Sequence, residues 1–143
     1  MNKKAEAFQA YLAERAMDCF TVEEVEGDQL HTVVFRSRID VEGQQLPTLV
    51  LLDSSVYTII RVKIGISLIN KNNETLLLQQ INRLNSQYKI FKYYFDEEGS
   101  LFLDTHVISV QGELDCQALC TVLQVLIQHL NSEYKHLMQL VWA

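Results

Sequence analysis

Hydrophobic and polar residues follow two different periods along the chain, and the changes between them mark the predicted elements. Apolar side chains recur at helical spacing over residues 3–18, 74–88 and 115–140, whereas the segments between them alternate with a period of two. In the first segment Ala5, Phe8 and Leu12 share one face, and Lys4 and Glu6 lie opposite. This pattern predicts an amphipathic first helix over residues 3–18.

A meander of three or four strands is predicted after this helix. The strands cover residues 30–41, 46–52 and 56–66, with a possible extra strand at residues 20–25. Short turns rich in Gly, Asp, Ser and Gln separate them, so neighbouring strands are expected to pair antiparallel. Pro47 has no N–H to donate, which suits the first residues of a strand or a sheet edge.

The remainder of the chain predicts a second helix, a β-hairpin and a third helix. Asn73 is a favourable N-cap, and apolar residues then recur at i, i+4, i+7 and i+11. Residues 90–95 and 101–109 form the hairpin around a turn in which Gly99 suits a positive φ. Asp115 is placed to cap a last helix that runs to about residue 140.

The predicted order is therefore helix, antiparallel three- or four-strand meander, helix, β-hairpin and long C-terminal helix. Strands that follow one another through short turns, with helices set apart from them, are typical of the α+β class. A length of 143 residues suits a single domain spanning residues 1–143, and 48% hydrophobic residues are enough for a core without a metal or disulfide.

Composition also predicts where the protein works. No segment approaches the about 18 consecutive apolar residues of a membrane span, and the N-terminus lacks the apolar run of a signal peptide. The three cysteines are odd in number and irregularly spaced, as expected for free thiols in a reducing compartment. We therefore expect a cytoplasmic protein that does not enter a membrane.

Few residues offer chemistry. Cys116 and Cys120 lie one helical turn apart at a helix start, where the dipole can lower a thiol pKa, but no second Cys/His pair completes a zinc site. Core packing is the favoured role for both cysteines. His129 and His136 are predicted on the polar side of the last helix, and no nucleophile motif accompanies them.

These observations predict no enzyme, no cofactor and no metal site. The alternative is a small-ligand-binding or catalytic domain with a pocket between sheet and helices, in which Cys116 is the residue to watch. Nucleotide-binding glycine motifs are missing. An RNP-type aromatic motif is also missing, and the formal charge of −6 argues against nucleic acid as the partner.

A protein partner fits the strands better. Basic side chains share strand faces with apolar residues predicted to point outward, although the whole chain is acidic. Residues 29–95 carry eight bases and four acids, whereas acidic turns frame this segment on both sides. The predicted partner-binding residues are Arg36, Arg38, Val50, Leu52, Tyr57, Ile59, Arg61 and Lys63. An acidic or amphipathic protein segment would complement such a surface.

The last helix is apolar over an unusually wide arc. Its apolar residues spread over about 220°, whereas one core face needs only about 100°. A helix of this kind is covered on two sides. Two explanations remain open at this point: a central helix enclosed within one chain, or a homodimer in which a second copy supplies the other cover.

The stretch from the second helix onward resembles a known family. Residues 77–84 with Asn82 and Asn85, followed by the aromatic and acidic run of residues 88–103, resemble the YbjN family of bacterial sensory transduction regulators. The resemblance covers about residues 70–140. YbjN proteins are similar in fold to the type III secretion chaperones, which are small acidic cytosolic dimers that hold a client protein. The resemblance implies a non-enzymatic binding module, regulatory or chaperone-like, that forms a homodimer.

Overall fold

The computed structural model describes all 143 residues, Met1–Ala143. Three helices and six strands make up the fold. The helices are α1 (Lys3–Glu14), α2 (Glu74–Gln87) and α3 (Cys116–Val141), and the strands are β1 (Thr21–Glu24), β2 (Val33–Val41), β3 (Gln44–Leu52), β4 (Tyr57–Gly65), β5 (Phe91–Phe95) and β6 (Leu101–Ile108). The predicted α+β class and element order are confirmed, and the possible extra strand is β1. None of the three helices combines the length and hydropathy of a membrane span.

All six strands belong to one antiparallel sheet with the order β1-β2-β3-β4-β6-β5. The meander β1–β4 therefore supplies four neighbouring strands, and the hairpin joins it through β6. Pro47 lies just before Thr48, where the pairing of β3 with β4 begins. Its missing N–H consequently removes no hydrogen bond between β3 and β4.

One face of the sheet packs against all three helices. Phe8 of α1 contacts Phe35 of β2, with ring centroids 4.9 Å apart. Ile81 of α2 and Leu126 of α3 belong to the same core cluster as Phe8, Phe35 and the inward residues of the strands. The covered face is thus mainly apolar, with buried threonines at Thr48, Thr58 and Thr105, and the other face carries no helix. We call this other face the outer face.

The wide apolar arc of α3 is covered mainly within the chain. α3 contacts α1 on one flank, α2 on the other, and β2 and β6 beneath. Leu126, Leu130 and Leu137 are fully buried at the centre of this contact. Val125 remains exposed, so the enclosure is incomplete. The first explanation, a central helix enclosed within one chain, accounts for most of the arc.

The predicted position of His129 on a polar helix face is wrong. Its side chain is only 6% exposed, because β5 and the end of α2 pack against that flank of α3. His136, two turns further along the same helix, is exposed as expected.

The first helix also differs from its prediction. It ends at Glu14 instead of residue 18, because Ala16 adopts a left-handed φ of 50° and the Met17 N–H bonds back to the Leu12 carbonyl.

Lys4 was expected on the polar face of this helix and is instead 3% exposed. Its Nζ donates to the carbonyls of Ser55 and Tyr57 at 2.8 and 2.7 Å and to Thr58 Oγ1 at 3.2 Å. Burial lowers the pKa of Lys4, and the Asp53 carboxylate at 3.9 Å opposes this shift. The amine therefore fixes the start of α1 to the turn between β3 and β4.

Replacing Lys4 with Met should lower the free energy of unfolding by about 2 kcal/mol, because two buried carbonyls lose a charged donor. Lys3→Met is the matched control, since Lys3 is exposed on the next position of the same helix. Its effect should stay within about 0.5 kcal/mol. Urea unfolding followed by circular dichroism measures both values. Equal unfolding midpoints for the two variants would contradict the anchoring role of Lys4.

Candidate protein-binding surface

The outer face collects side chains from five strands. Cross-strand partners lie on the same face, so the register assigns each residue to one side. The residues on the outer face of β2 to β6 include Arg36, Arg38, Pro47, Leu49, Leu51, Tyr57, Ile59, Arg61, Lys63, Lys92, Tyr94, Phe102, Asp104 and His106. On β3 this face is apolar from Pro47 to Leu51, and charged side chains lie on the strands to either side.

Six of the eight predicted partner-binding residues lie on this face, and two do not. Val50 and Leu52 are fully buried on the covered face, where Val50 is the cross-strand partner of Phe35 and Leu52 that of Val33. Their predicted exposure is wrong. The positions next to them, Leu49 and Leu51, are the β3 residues that face outward and are half-buried. The four consecutive residues of β3 from Leu49 to Leu52 are all apolar. The sequence therefore does not indicate whether Leu49 and Leu51 or Val50 and Leu52 face outward.

An ion pair with a buried carboxylate lies at the middle of the outer face. The Nε and Nη2 atoms of Arg61 donate to the two carboxylate oxygens of Asp104, each at 2.9 Å. The Tyr94 hydroxyl donates to the same carboxylate at 3.2 Å. Asp104 is 1% exposed although no helix covers this face, because Arg61 and Tyr94 close over it. The hydrogen bond to Asp104 raises the pKa of Arg61, so the guanidinium stays charged.

Four side chains form a stack beside this pair. The rings of Tyr94 and Phe102 are parallel to within 18°, with centroids 5.5 Å apart. The Lys63 amine lies 5.7 Å from the Phe102 centroid, and the Lys92 amine lies 5.1 Å from the Tyr94 centroid. A lysine thus accompanies each ring of the stacked pair. The aromatic side chains were not among the predicted site residues, and only the pairing of β5 with β6 and of β6 with β4 brings them next to Lys63.

The charge of the outer face is opposite in sign to that of the whole chain. Arg36, Arg38, Arg61, Lys63 and Lys92 carry five positive charges there, against three negative charges from Glu23, Asp40 and Asp104, so the balance is 5 − 3 = +2. The chain as a whole has a formal charge of −6. Arg38 has no acidic partner, whereas Arg36 is 3.3 Å from Glu23. Cations without an intramolecular partner are therefore available at the β2 margin.

The two edges of the sheet are built differently. The first residue of β1, Thr21, lies opposite Arg36. Residues 37–41 of β2 therefore have no neighbouring strand on the β1 side and pair only with β3. An open pocket of about 420 Å³ lies at this end of β1, lined by Cys19, Thr21, Arg36, Ser37 and Arg38. The opposite edge, β5, is protected. The Asn85 side chain accepts from the Tyr93 N–H at 2.8 Å and donates to the Tyr93 carbonyl at 3.1 Å, so it takes the place of a neighbouring strand.

Cys116 and Cys120 are half-buried thiols at the start of α3. Burial raises the pKa of both Cys116 and Cys120, which is opposite in direction to the lowering expected from a helix start. A thiol with a raised pKa is a weaker nucleophile near neutral pH, because less of it is thiolate. No group of three His, Cys, Asp or Glu side chains is arranged to hold a metal ion.

Comparison with known proteins finds a similar solved structure but no related sequence family. No family model and no curated protein matches the chain. The crystal structure of the ExsC–ExsE complex contains a similar chain, with a TM-score of 0.61 and 14% sequence identity over 96% of this chain and 97% of that chain. At this identity the likeness shows the fold alone. That chain shares the α+β fold described above.

Replacing Asp104 with Asn should lower the free energy of unfolding by about 2–3 kcal/mol, because the half-buried Arg61 guanidinium then loses its charged partner. Glu23→Gln is the matched control. It removes the carboxylate of the exposed Arg36–Glu23 pair and should cost less than about 1 kcal/mol. Urea unfolding separates the two cases, and equal losses would mean that burial adds nothing to the Arg61–Asp104 pair.

Proposed function

We propose that this protein is a non-enzymatic cytoplasmic binding module, regulatory or chaperone-like, that holds a protein partner on its outer face. One observation carries the proposal: a sheet face that presents apolar and positively charged side chains and that no helix of the chain covers. Tyr57 is 52% exposed on this face, and Ile108 beside it is 57% exposed. A protein segment that covers these side chains would bury apolar surface and pair with the arginines.

A protein partner is better supported than a nucleic acid. Bases bind to sheet surfaces by stacking on the free faces of aromatic rings. On the outer face, Tyr94 and Phe102 stack on each other and Lys92 and Lys63 lie beside them. A base would have to disrupt this stack, whereas an apolar and acidic protein segment would add to it.

The open edge of β2 provides a way to hold an extended partner. A strand placed beside residues 37–41 would form backbone hydrogen bonds where β1 has ended. Its alternate side chains would point to the two faces of the sheet. On the covered side they would meet Ile39 and Val41, and on the outer side they would meet Arg38 and Asp40, so an acidic side chain belongs opposite Arg38. We therefore propose a partner segment of about five residues in which apolar and acidic side chains alternate.

The fold comparison supports this function at the level of the fold. The similar structure is a complex between two proteins, ExsC and ExsE. A fold hosts many functions, so the surface described here carries the proposal and the likeness adds support. Membership of the YbjN family stays a prediction from the sequence, as does the cytoplasmic location.

We also propose that the protein is a homodimer, as the resemblance implies. Several large apolar side chains are exposed away from the outer face, among them Leu76 and Leu78 of α2 and Trp142 after α3. Light scattering after size exclusion should give about twice the chain mass of 16.5 kDa at tens of micromolar protein. A single species with the mass of one chain at that concentration would contradict the dimer and leave the outer-face proposal standing.

A photo-crosslinking amino acid at Tyr57 tests the partner surface in cells of the native host. The same amino acid at Gln128, which is exposed on α3, is the control for the opposite side of the molecule. We expect a protein partner to be captured from position 57 and not from position 128.

Charge reversal then tests whether that capture is specific. Arg38→Glu should reduce the yield several-fold, because it opposes an acidic partner at the open edge. Lys135→Glu makes the same charge change at an exposed position of α3 and should leave the yield unchanged. Equal capture from both crosslinker positions, or a yield insensitive to Arg38→Glu, would overturn the proposed surface.

A further inference from the structure

His129 lies in a closed aromatic environment where three elements meet. The Tyr88 and Phe91 rings each have their centroid 4.3 Å from that of the imidazole, and Tyr93 is 5.7 Å away. Tyr88 ends α2, Phe91 and Tyr93 belong to β5, and His129 belongs to α3. We call these four residues the His129 junction. No lysine, arginine or carboxylate is hydrogen-bonded to the imidazole.

The hydrogen bonds of this ring leave one donor unsatisfied in either neutral tautomer. Nε2 lies 2.7 Å from the Tyr93 hydroxyl, and the buried Nδ1 has no partner. With the proton on Nδ1, the Tyr93 hydroxyl donates to Nε2 and the Nδ1–H group has no acceptor. With the proton on Nε2, the ring donates to the Tyr93 oxygen and the Tyr93 O–H group has no acceptor. The neutral ring therefore leaves a single donor without an acceptor.

Protonation of this ring conflicts with the closed junction. It would create a buried charge and would leave two donors, the Nδ1–H group and the Tyr93 O–H group, without an acceptor. The charged and titratable groups that face the ring are Tyr93 from β5, Tyr88 from the end of α2 and Glu133 from the next turn of α3. Glu133 is engaged by the Tyr88 hydroxyl at 3.1 Å. Burial lowers the pKa of His129, and the Glu133 carboxylate opposes this shift without reversing it. Burial raises the pKa of Tyr93, so its hydroxyl supplies no negative charge to the imidazolium.

We propose that the His129 junction is an acid-sensitive latch, which holds α2 and β5 against α3 at neutral pH and opens as His129 takes up a proton. The open form is solvated and binds a proton near the ordinary histidine pKa of about 6.5, whereas the closed form resists it. Closure is therefore fully favoured above about pH 6.5. Below that pH the opening equilibrium rises by up to about tenfold per pH unit, until the closed form itself titrates.

Opening of the latch would also reach the outer face. Tyr94 and Lys92 lie on the other side of β5 and belong to the stack with Phe102 and Lys63. Release of β5 from α3 would loosen this stack. The latch itself rests on the packing around His129 and not on the proposed function, so the two can fail separately.

Amide hydrogen exchange of the full chain between about pH 7 and about pH 5.5, corrected for intrinsic exchange rates, tests the latch. Residues 74–95, which contain α2 and β5, should become up to about fivefold less protected between pH 6.5 and pH 5.5. Residues 33–52, which form β2 and β3, serve as the internal reference and should change much less. Unchanged protection of residues 74–95 over this range would overturn the proposal.

A variant without the titrating group completes the test. The double variant His129→Phe with Tyr93→Phe keeps the aromatic packing and removes both polar atoms of the hydrogen bond, so the pH dependence of residues 74–95 should disappear. His136→Gln, at the exposed histidine of the same helix, should keep it. Persistence of the pH dependence in the double variant would assign it to another group and overturn the latch.

The wild-type chain gives a second readout if the double variant does not fold. In an NMR titration, the His129 ring signal should change with pH only together with the signals of Tyr88 and Tyr93, because protonation requires opening. Titration of His129 near pH 6.5 with the Tyr93 signals unchanged would show a protonated ring inside a closed junction. That result would also overturn the latch.

Discussion

The structure depends on one constraint: three helices cover only one face of a six-stranded sheet. The strands must therefore be apolar on the covered face and stable in water on the other. On the covered face, Phe35, Ile60 and Leu103 pack into one core with all three helices. On the outer face, a buried Asp104 is closed over by Arg61 and Tyr94, and two lysines accompany a stacked aromatic pair. Local hydrogen bonds and stacking there do what helix packing does on the covered face.

The same constraint explains how the edges differ. A sheet of this size has two outer strands, and each presents unpaired backbone groups unless something blocks them. At β5 the side chain of Asn85 pairs with both backbone groups of Tyr93. At the other edge, β1 begins only at Thr21, so residues 37–41 of β2 have no neighbouring strand on that side. One edge is thus closed within the chain and one is open, and the open edge adjoins the uncovered face with its arginines. Likeness in fold to a chain of the ExsC–ExsE complex adds a protein–protein context to this arrangement, at 14% identity.

Buried polar groups link the helices to this sheet at particular points. Lys4 fixes the start of α1 to the turn between β3 and β4, and Asn73 joins the start of α2 to the carbonyl of Val141 at the end of α3. His129 connects α3 to β5 through Tyr93. The cost of leaving any of these groups without its partner makes the positions of the helices specific.

Much of this fold was determined by the sequence itself. Helical periodicity, the cap at Asp115 and the turn at Gly99 predicted α2, α3 and the hairpin, because these features depend on residues close together in the chain. Only the tertiary structure decided which face each residue occupies. The last four residues of β3 are all apolar, so its own pattern does not decide which of them face the core. Pairing with β2, in which Val50 lies opposite Phe35 and Leu52 opposite Val33, places Val50 and Leu52 on the covered face. His129 and Lys4 lie on helix faces that look polar in sequence, and they are buried because distant strands and turns supply partners for them. The physical reason is that a local pattern fixes periodicity, whereas burial depends on which distant segment packs against it.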